Sequence, residues 1–175
     1  VNAIIELVKK AQKGNSDAFL ELFQHYEQEL YRIAFVYVKN KDNALDVMQE
    51  VAYKSFKNIS ALQNPEYFKT WITRITINCS KDFLKANGKV THIAPEHVDN
   101  ITSKDKDFLL SVTLEELMNC LNENERTVIM LRFYSGHTFK EISELLDTPM
   151  GTLKSWFYRS MEKLRRNVKR RDFYE

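Results

Sequence analysis

The chain has 175 residues, and its 26 Lys and Arg stand against 24 Asp and Glu for a formal net charge of +2. That length suits one large domain or two small ones, and near-neutrality excludes a protein that coats nucleic acid by charge alone. With 43% hydrophobic and 29% charged residues the composition is that of a folded protein, and four Gly and three Pro are too few for a hairpin-rich β fold. Apolar runs are too short to cross a bilayer. Residues 1–11 lack the apolar stretch of a signal peptide, and the absence of Met at position 1 points to a trimmed or unusual start. Two cysteines, Cys79 and Cys120, cannot staple a small secreted fold and fit a reducing cytoplasm.

Hydrophobic spacing is helical almost throughout. Ile4, Ile5, Leu7 and Val8 open a first helix that ends near Gly14. Ser16 or Asp17 is placed to cap a second, which carries Phe19, Leu22, Phe23, Tyr26, Leu30, Ile33, Ala34 and Val38. A polar turn at residues 39–43 leads to a third helix with Ala44, Leu45, Met48, Val51, Ala52 and Phe56. Residues 58–66 read as a loop, and Pro65 suits the first turn of a fourth helix reaching residue 86. On that helix Phe68, Ile72, Ile75, Cys79 and Phe83 form an apolar stripe with Trp71 beside it. Arg74, Asn78, Lys81 and Lys85 follow at i, i+4, i+7 and i+11 and form a separate polar stripe. Either a solvated face or a ligand-binding one reads this way.

Periodicity vanishes over residues 87–107, too long a stretch for an ordinary internal loop, and is read as a linker between residues 1–86 and 108–175. His92 and His97 there lack metal-ligand spacing, with Cys79 the one remote partner, so no metal or cofactor is expected. Phe108, Leu109, Val112, Leu117, Met118 and Leu121 resume a helical pattern, and Asn122 or Asn124 is placed to cap the next helix, which stops at Ser135 and Gly136. Thr138 and Glu141 have the spacing of a capping box before Phe139, Ile142, Leu145 and Leu146. After a turn at residues 147–149, Met150, Leu153, Phe157, Met161, Leu164 and Val168 mark a last helix.

Two helices joined by so short a turn form a helix-turn-helix. Charge sharpens the point. Residues 108–150 carry a net −4, whereas residues 151–171 carry +7, with Glu162 their sole acid. Such a concentration is a local electrostatic footprint for nucleic acid. Gly151, Thr152 and Ser155 allow close approach of phosphate to the helix start, and Lys154, Ser155, Tyr158 and Arg159 have the reach to contact base edges.

On these residues the chain resembles the extracytoplasmic-function (ECF) group of bacterial RNA polymerase sigma factors. In the first half the resemblance rests on Leu30-Tyr31-Arg32-Ile33-Ala34, on residues 44–51 (ALDVMQEV), and on Phe68-Lys69-Thr70-Trp71-Ile72 with Ile75, Asn78 and Asp82. In the second half it rests on residues 121–129 (LNENERTVI), residues 141–146 (EISELL), Gly151-Thr152-Leu153-Lys154-Ser155 and Arg159.

The resemblance implies an all-α fold of two small helical domains joined by a linker, the second a helix-turn-helix. It implies binding rather than catalysis, in the cytoplasm, without small-molecule substrate or membrane insertion. Asp46, Gln49 and Glu50 would contact the β′ clamp helices of core RNA polymerase. Arg74, Asn78, Lys81 and Lys85, with Ser60, Leu62, Gln63 and Asn64 holding a flipped base, would take the −10 element. Gly151, Thr152, Lys154, Ser155, Tyr158, Arg159 and Lys163 would read the −35 element while the second domain sits on the β flap. An anti-sigma factor is the further partner. Trp71 suits either a core position or a melting wedge. Trp156 stands where a basic residue is frequent in the family, and Lys85 where Arg is usual, so a bidentate contact is not expected there. A stand-alone helix-turn-helix regulator and a helical adaptor without DNA contact remain as alternatives. An enzyme fits least, since no Gly-rich phosphate loop or nucleophilic triad occurs and His25, His92, His97 and His137 are scattered.

Overall fold

The computed structural model describes residues 2–87 and 118–172, and the described residues are helices, turns and their connections. The chain divides into two compact units, Val1–Val90 and Thr91–Glu175. The linker expected at residues 87–107 lies outside the described residues from position 88 onward, as do Phe108, Leu109, Val112 and Leu117.

The first unit contains α1 (Asn2–Gln12), α2 (Ser16–Val38), α3 (Lys41–Asn58) and α4 (Phe68–Ala86). The cap of α2 is Asn15, whose Oδ1 accepts the Ala18 N–H at 2.8 Å, rather than Ser16 or Asp17. The difference is one residue and has a local cause: Gly14 at φ +89° reverses the chain just before Asn15. Lys39 closes α2 in the left-handed region, and Asn40 already caps α3 by accepting from Asn43 N–H at 2.9 Å. The α2–α3 turn is therefore shorter than the polar run suggested. Between α3 and α4 the backbone makes two 3-10 turns, Ile59–Ala61 and Pro65–Tyr67, the second with Pro at its first position and Asn64 as cap.

Helix α2 packs against α1, α3 and α4, and α3 packs against α4. Their shared core includes Leu22, Leu30, Ile33, Val51, Phe68 and Ile72. The buried face of α4 is broader than its apolar stripe: Thr73, Thr76, Ile77 and Ser80 are buried with Phe68, Ile72 and Cys79, whereas Ile75 and Phe83 are half-buried. Two of the three hydroxyls are met by donating back one turn, Thr76 to the Ile72 carbonyl (3.0 Å) and Ser80 to that of Thr76 (2.8 Å), whereas Thr73 Oγ1 is buried without a hydrogen-bond partner among the described residues. Trp71 is half-buried with its ring 5.7 Å from that of Phe68. On α3, Leu45 and Phe56 are exposed, against their apolar spacing, because Ala44, Val47, Met48, Val51 and Ser55 already fill the buried arc.

The second unit contains α5 (Glu123–Ile129), α6 (Phe139–Leu146) and α7 (Met150–Asp172). Helix α5 runs into a π-helical turn, Met130–Tyr134, where Ser135 N–H donates to the Met130 carbonyl at 3.0 Å. Gly136 at φ +70° then turns the chain toward the Thr138 cap. Both halves of the expected capping box form: Thr138 Oγ1 accepts from Glu141 N–H at 3.2 Å, and Thr138 N–H donates to Glu141 Oε2 at 2.7 Å. Asp147 in the left-handed region ends α6, and Ser143 Oγ donates to the Thr148 carbonyl across the turn at 2.7 Å. Ile142, Leu145 and Leu153 are buried, and Phe157, Met161 and Leu164 pack on Met118, Leu121 and Ile129. Met150, counted with the apolar set, is exposed because the first residue of α7 projects beyond that packing.

Candidate nucleic-acid interface

On α3, Asp46, Gln49 and Glu50 are exposed, as their i, i+3 and i+4 spacing on one face requires. Leu45, Tyr53 and Phe56 are exposed on the same helix. These apolar groups were not foreseen as surface, although spacings of eight and three place them near the acid-amide-acid group. Glu50 is already engaged within its helix by Lys54 Nζ at 3.2 Å, and Lys54 reaches Asp82 on α4 at 4.0 Å. Pairs this exposed contribute little to stability and remain open to exchange with a partner.

On α4, Arg74, Asn78, Lys81 and Lys85 are all exposed, opposite the buried face. Cys79 lies inside, and burial pushes its thiol up, away from the thiolate a metal needs. In the loop, Ser60, Gln63 and Asn64 are exposed. Leu62 is not available to a base: it is buried, as the one large apolar side chain of residues 60–64, and its carbonyl accepts from Gln12 Nε2 at 2.6 Å. Helix α1 thereby braces the loop, a role no local sequence signal announced. Asn64 spends its Oδ1 on the Glu66 N–H at 3.0 Å and leaves its amide group outward.

On α7, Gly151, Thr152, Lys154, Ser155, Tyr158 and Arg159 are exposed, Tyr158 with 67% of its surface open. Ser155 Oγ donates to the Gly151 carbonyl at 2.9 Å, which leaves its lone pairs outward. Lys163 departs from this set. Its Nζ donates to both carboxylate oxygens of Glu125, at 2.7 and 3.0 Å, so it is held by the protein rather than offered to phosphate.

Glu125 is fully buried at the third position of α5, where Asn122 Oδ1 accepts its N–H and its own Oε2 accepts the Asn122 N–H. The N-x-x-E spacing at 122–125 is the signal that could have revealed this box. Burial alone pushes the Glu125 carboxyl up. The bonds from Lys163 and Asn122, with the charges of Lys163 and Arg159, outweigh it and hold the carboxyl below its ordinary range. The folded value thus lies below the unfolded one. The pair contributes stability at neutral pH, and that contribution is lost as pH falls from about 4.3 through the folded value. Glu125→Gln should therefore melt below the parent at pH 7 and converge with it in acid. A gap that stays constant from neutral to acid pH contradicts the assignment.

Residues 22–90 match the family model described as Sigma-70 region 2, and residues 111–164 match Sigma-70, region 4. RNA polymerase sigma factor SigV of Bacillus subtilis (strain 168) is 31% identical over 147 residues, covering 84% of this chain and 89% of the relative. The ECF RNA polymerase sigma-E factor of Escherichia coli (strain K12) is 29% identical over 177 residues, covering 93% and 92%. The chain belongs to the ECF sigma factors. A solved structure of the sigma factor RpoE with the anti-sigma factor NepR, from Bartonella quintana, shares this sigma factor's fold at TM-score 0.66 and 19% identity, over 85% of this chain and 97% of that one.

Region 2 of the sigma factor thus begins within α2 and holds the α3 acids and the α4 stripe, whereas α1 precedes the match. Region 4 ends one residue after Lys163 and holds the helix-turn-helix. Among the described residues no helix is long and apolar enough to cross a membrane.

Proposed function

We propose that this sigma factor divides promoter recognition between its two units, and that it acts by binding, not catalysis, in the cytoplasm. Asp46, Gln49 and Glu50 engage the β′ clamp helices of core polymerase. Their carboxylates suit basic partner side chains, and Leu45, Tyr53 and Phe56 supply apolar area beside them. Arg74, Asn78, Lys81 and Lys85 follow the opened −10 strand, with Ser60, Gln63 and Asn64 around an unstacked base. Helix α7 enters the −35 major groove and reads it with Lys154, Ser155, Tyr158 and Arg159, while Gly151 and Thr152 lie along the phosphates and the second unit rests on the β flap. An anti-sigma factor, as in the Bartonella quintana complex, is the regulating partner.

The observation that carries this reading is that the polar stripe of α4 is wholly exposed while the opposite face is buried, Thr and Ser included. Such a helix offers three cations and an amide along one face of a rigid support, which suits a single-stranded backbone.

The test is promoter binding with and without core polymerase. Sequence-specific retardation of promoter DNA is expected with polymerase and not with the protein alone. Specific binding of a palindrome by the protein alone would instead establish the stand-alone regulator. Asp46→Ala is expected to weaken polymerase association by about 1 kcal/mol, as for an exposed charge pair, without altering promoter preference. Changed preference at equal polymerase affinity would move Asp46 out of the docking face.

A further inference from the structure

The −35-reading role proposed for α7 places one problem in view, and the inference below rests on that reading. Glu125 is a fully buried carboxylate, and such a charge is costly unless a cation meets it. Lys163 meets it with both oxygens engaged. Four residues earlier on the same helix stands Arg159, so its side chain and that of Lys163 leave neighbouring positions on one face. The two cations differ in surroundings. Lys163 is half-buried, whereas Arg159 is exposed. An Arg fork is also the better carboxylate ligand of the two, since it pairs in bidentate fashion.

We infer that Lys163 is a positioning residue for −35 recognition: by occupying Glu125 it keeps the neighbouring Arg159 guanidinium from being drawn onto that carboxylate and leaves it free for DNA. The attraction to be blocked is present, since the Arg159 charge already lowers the Glu125 carboxyl's pKa. Removing Lys163 then acts through Arg159, although Lys163 itself touches no base. The account also explains why a lysine placed among the cations of a DNA-reading helix is spent inside the protein.

The test is a variant cycle on the full-length protein in holoenzyme with bacterial core polymerase. Binding to a cognate promoter and to single-base −35 variants is measured over a range of salt, with thermal melts of each variant. Lys163→Met is expected to lose discrimination on the order of tenfold, as Arg159→Ala does, and Arg159→Ala in the Lys163→Met background should lose nothing more. Glu125→Gln with Lys163→Met removes the charge that captures Arg159 and is expected to restore discrimination. Lys163→Gln leaves the Glu125 charge equally unmet, should show the same loss, and carries the test if Lys163→Met does not fold.

Uniform weakening across all sequences, with the salt slope reduced by about one, would make Lys163 a phosphate contact and overturn the inference. So would discrimination that the double variant fails to restore. If Arg159→Ala alone leaves −35 discrimination intact, it is the reading of α7 as the recognition helix that fails, and the two failures are told apart.

Discussion

Phe68→Ala should remove about 3–5 kcal/mol from the stability of the first unit, the range for truncating a buried Phe. The ring is 1% exposed at the start of α4, its centroid 5.7 Å from that of Tyr26 on α2 and 5.7 Å from that of Trp71. It therefore ties α4 to α2 at the point where the loop of residues 60–64 arrives. A small domain holds about 5–15 kcal/mol in all, so most of that margin goes with one side chain. Because the chain has two units, the loss is expected in the first unit's transition, while helix signal from the second persists. In urea melts followed by Trp71 fluorescence in a Trp156→Phe background and by far-ultraviolet circular dichroism, a loss below about 1 kcal/mol would place Phe68 outside the core. Function should follow structure: −10 strand binding weakens while discrimination among −35 variants survives.

Arg159→Ala should cost about 1–3 kcal/mol of −35 discrimination, the range for one bidentate base contact. Arg159 is exposed on α7 one turn beyond Ser155, and the buried Leu153 and Ser160, with the half-buried Phe157, hold the other side of the helix against the unit. Its fork is thus mounted on a supported helix rather than on a loop, which base-edge geometry requires. The check is competition between the cognate promoter and single-base −35 variants at one fixed salt concentration. Loss confined to one or two base positions supports the assignment. A uniform loss at every position makes Arg159 a phosphate contact, and no loss removes it from the interface.

Much of the fold was legible because the caps and breakers are explicit. Thr138 with Glu141, and Gly136, each mark a boundary that the structure reproduces, whereas Pro65 opens a 3-10 turn and the fourth helix begins three residues later, at Phe68. The exposed faces of α4 and α7 were legible for a related reason: long charged side chains at helical spacing cannot be buried unpaired, so they define the outside. The inside was harder to read. Thr76 and Ser80 line the core because their hydroxyls bond carbonyls of their own helix, and an apolar count passes over them. Leu45, Phe56 and Met150 lie outside because each helix has more apolar positions than its neighbours can cover. Leu62 and Lys163 depart from their expected roles through tertiary contacts made 50 and 38 residues away, with Gln12 and Glu125. No local pattern encodes such pairs, and the burial of Glu125 is what gives the second its weight.

The central claim is that this sigma factor confers promoter choice on polymerase through two separate faces. Run-off transcription tests it most directly, with bacterial core polymerase, the full-length protein, and promoter sequences selected by that same holoenzyme. The expected result is transcripts from a fixed start site that depend on the protein and on both −35 and −10 sequences. Absence of any transcript together with absence of polymerase binding would contradict it.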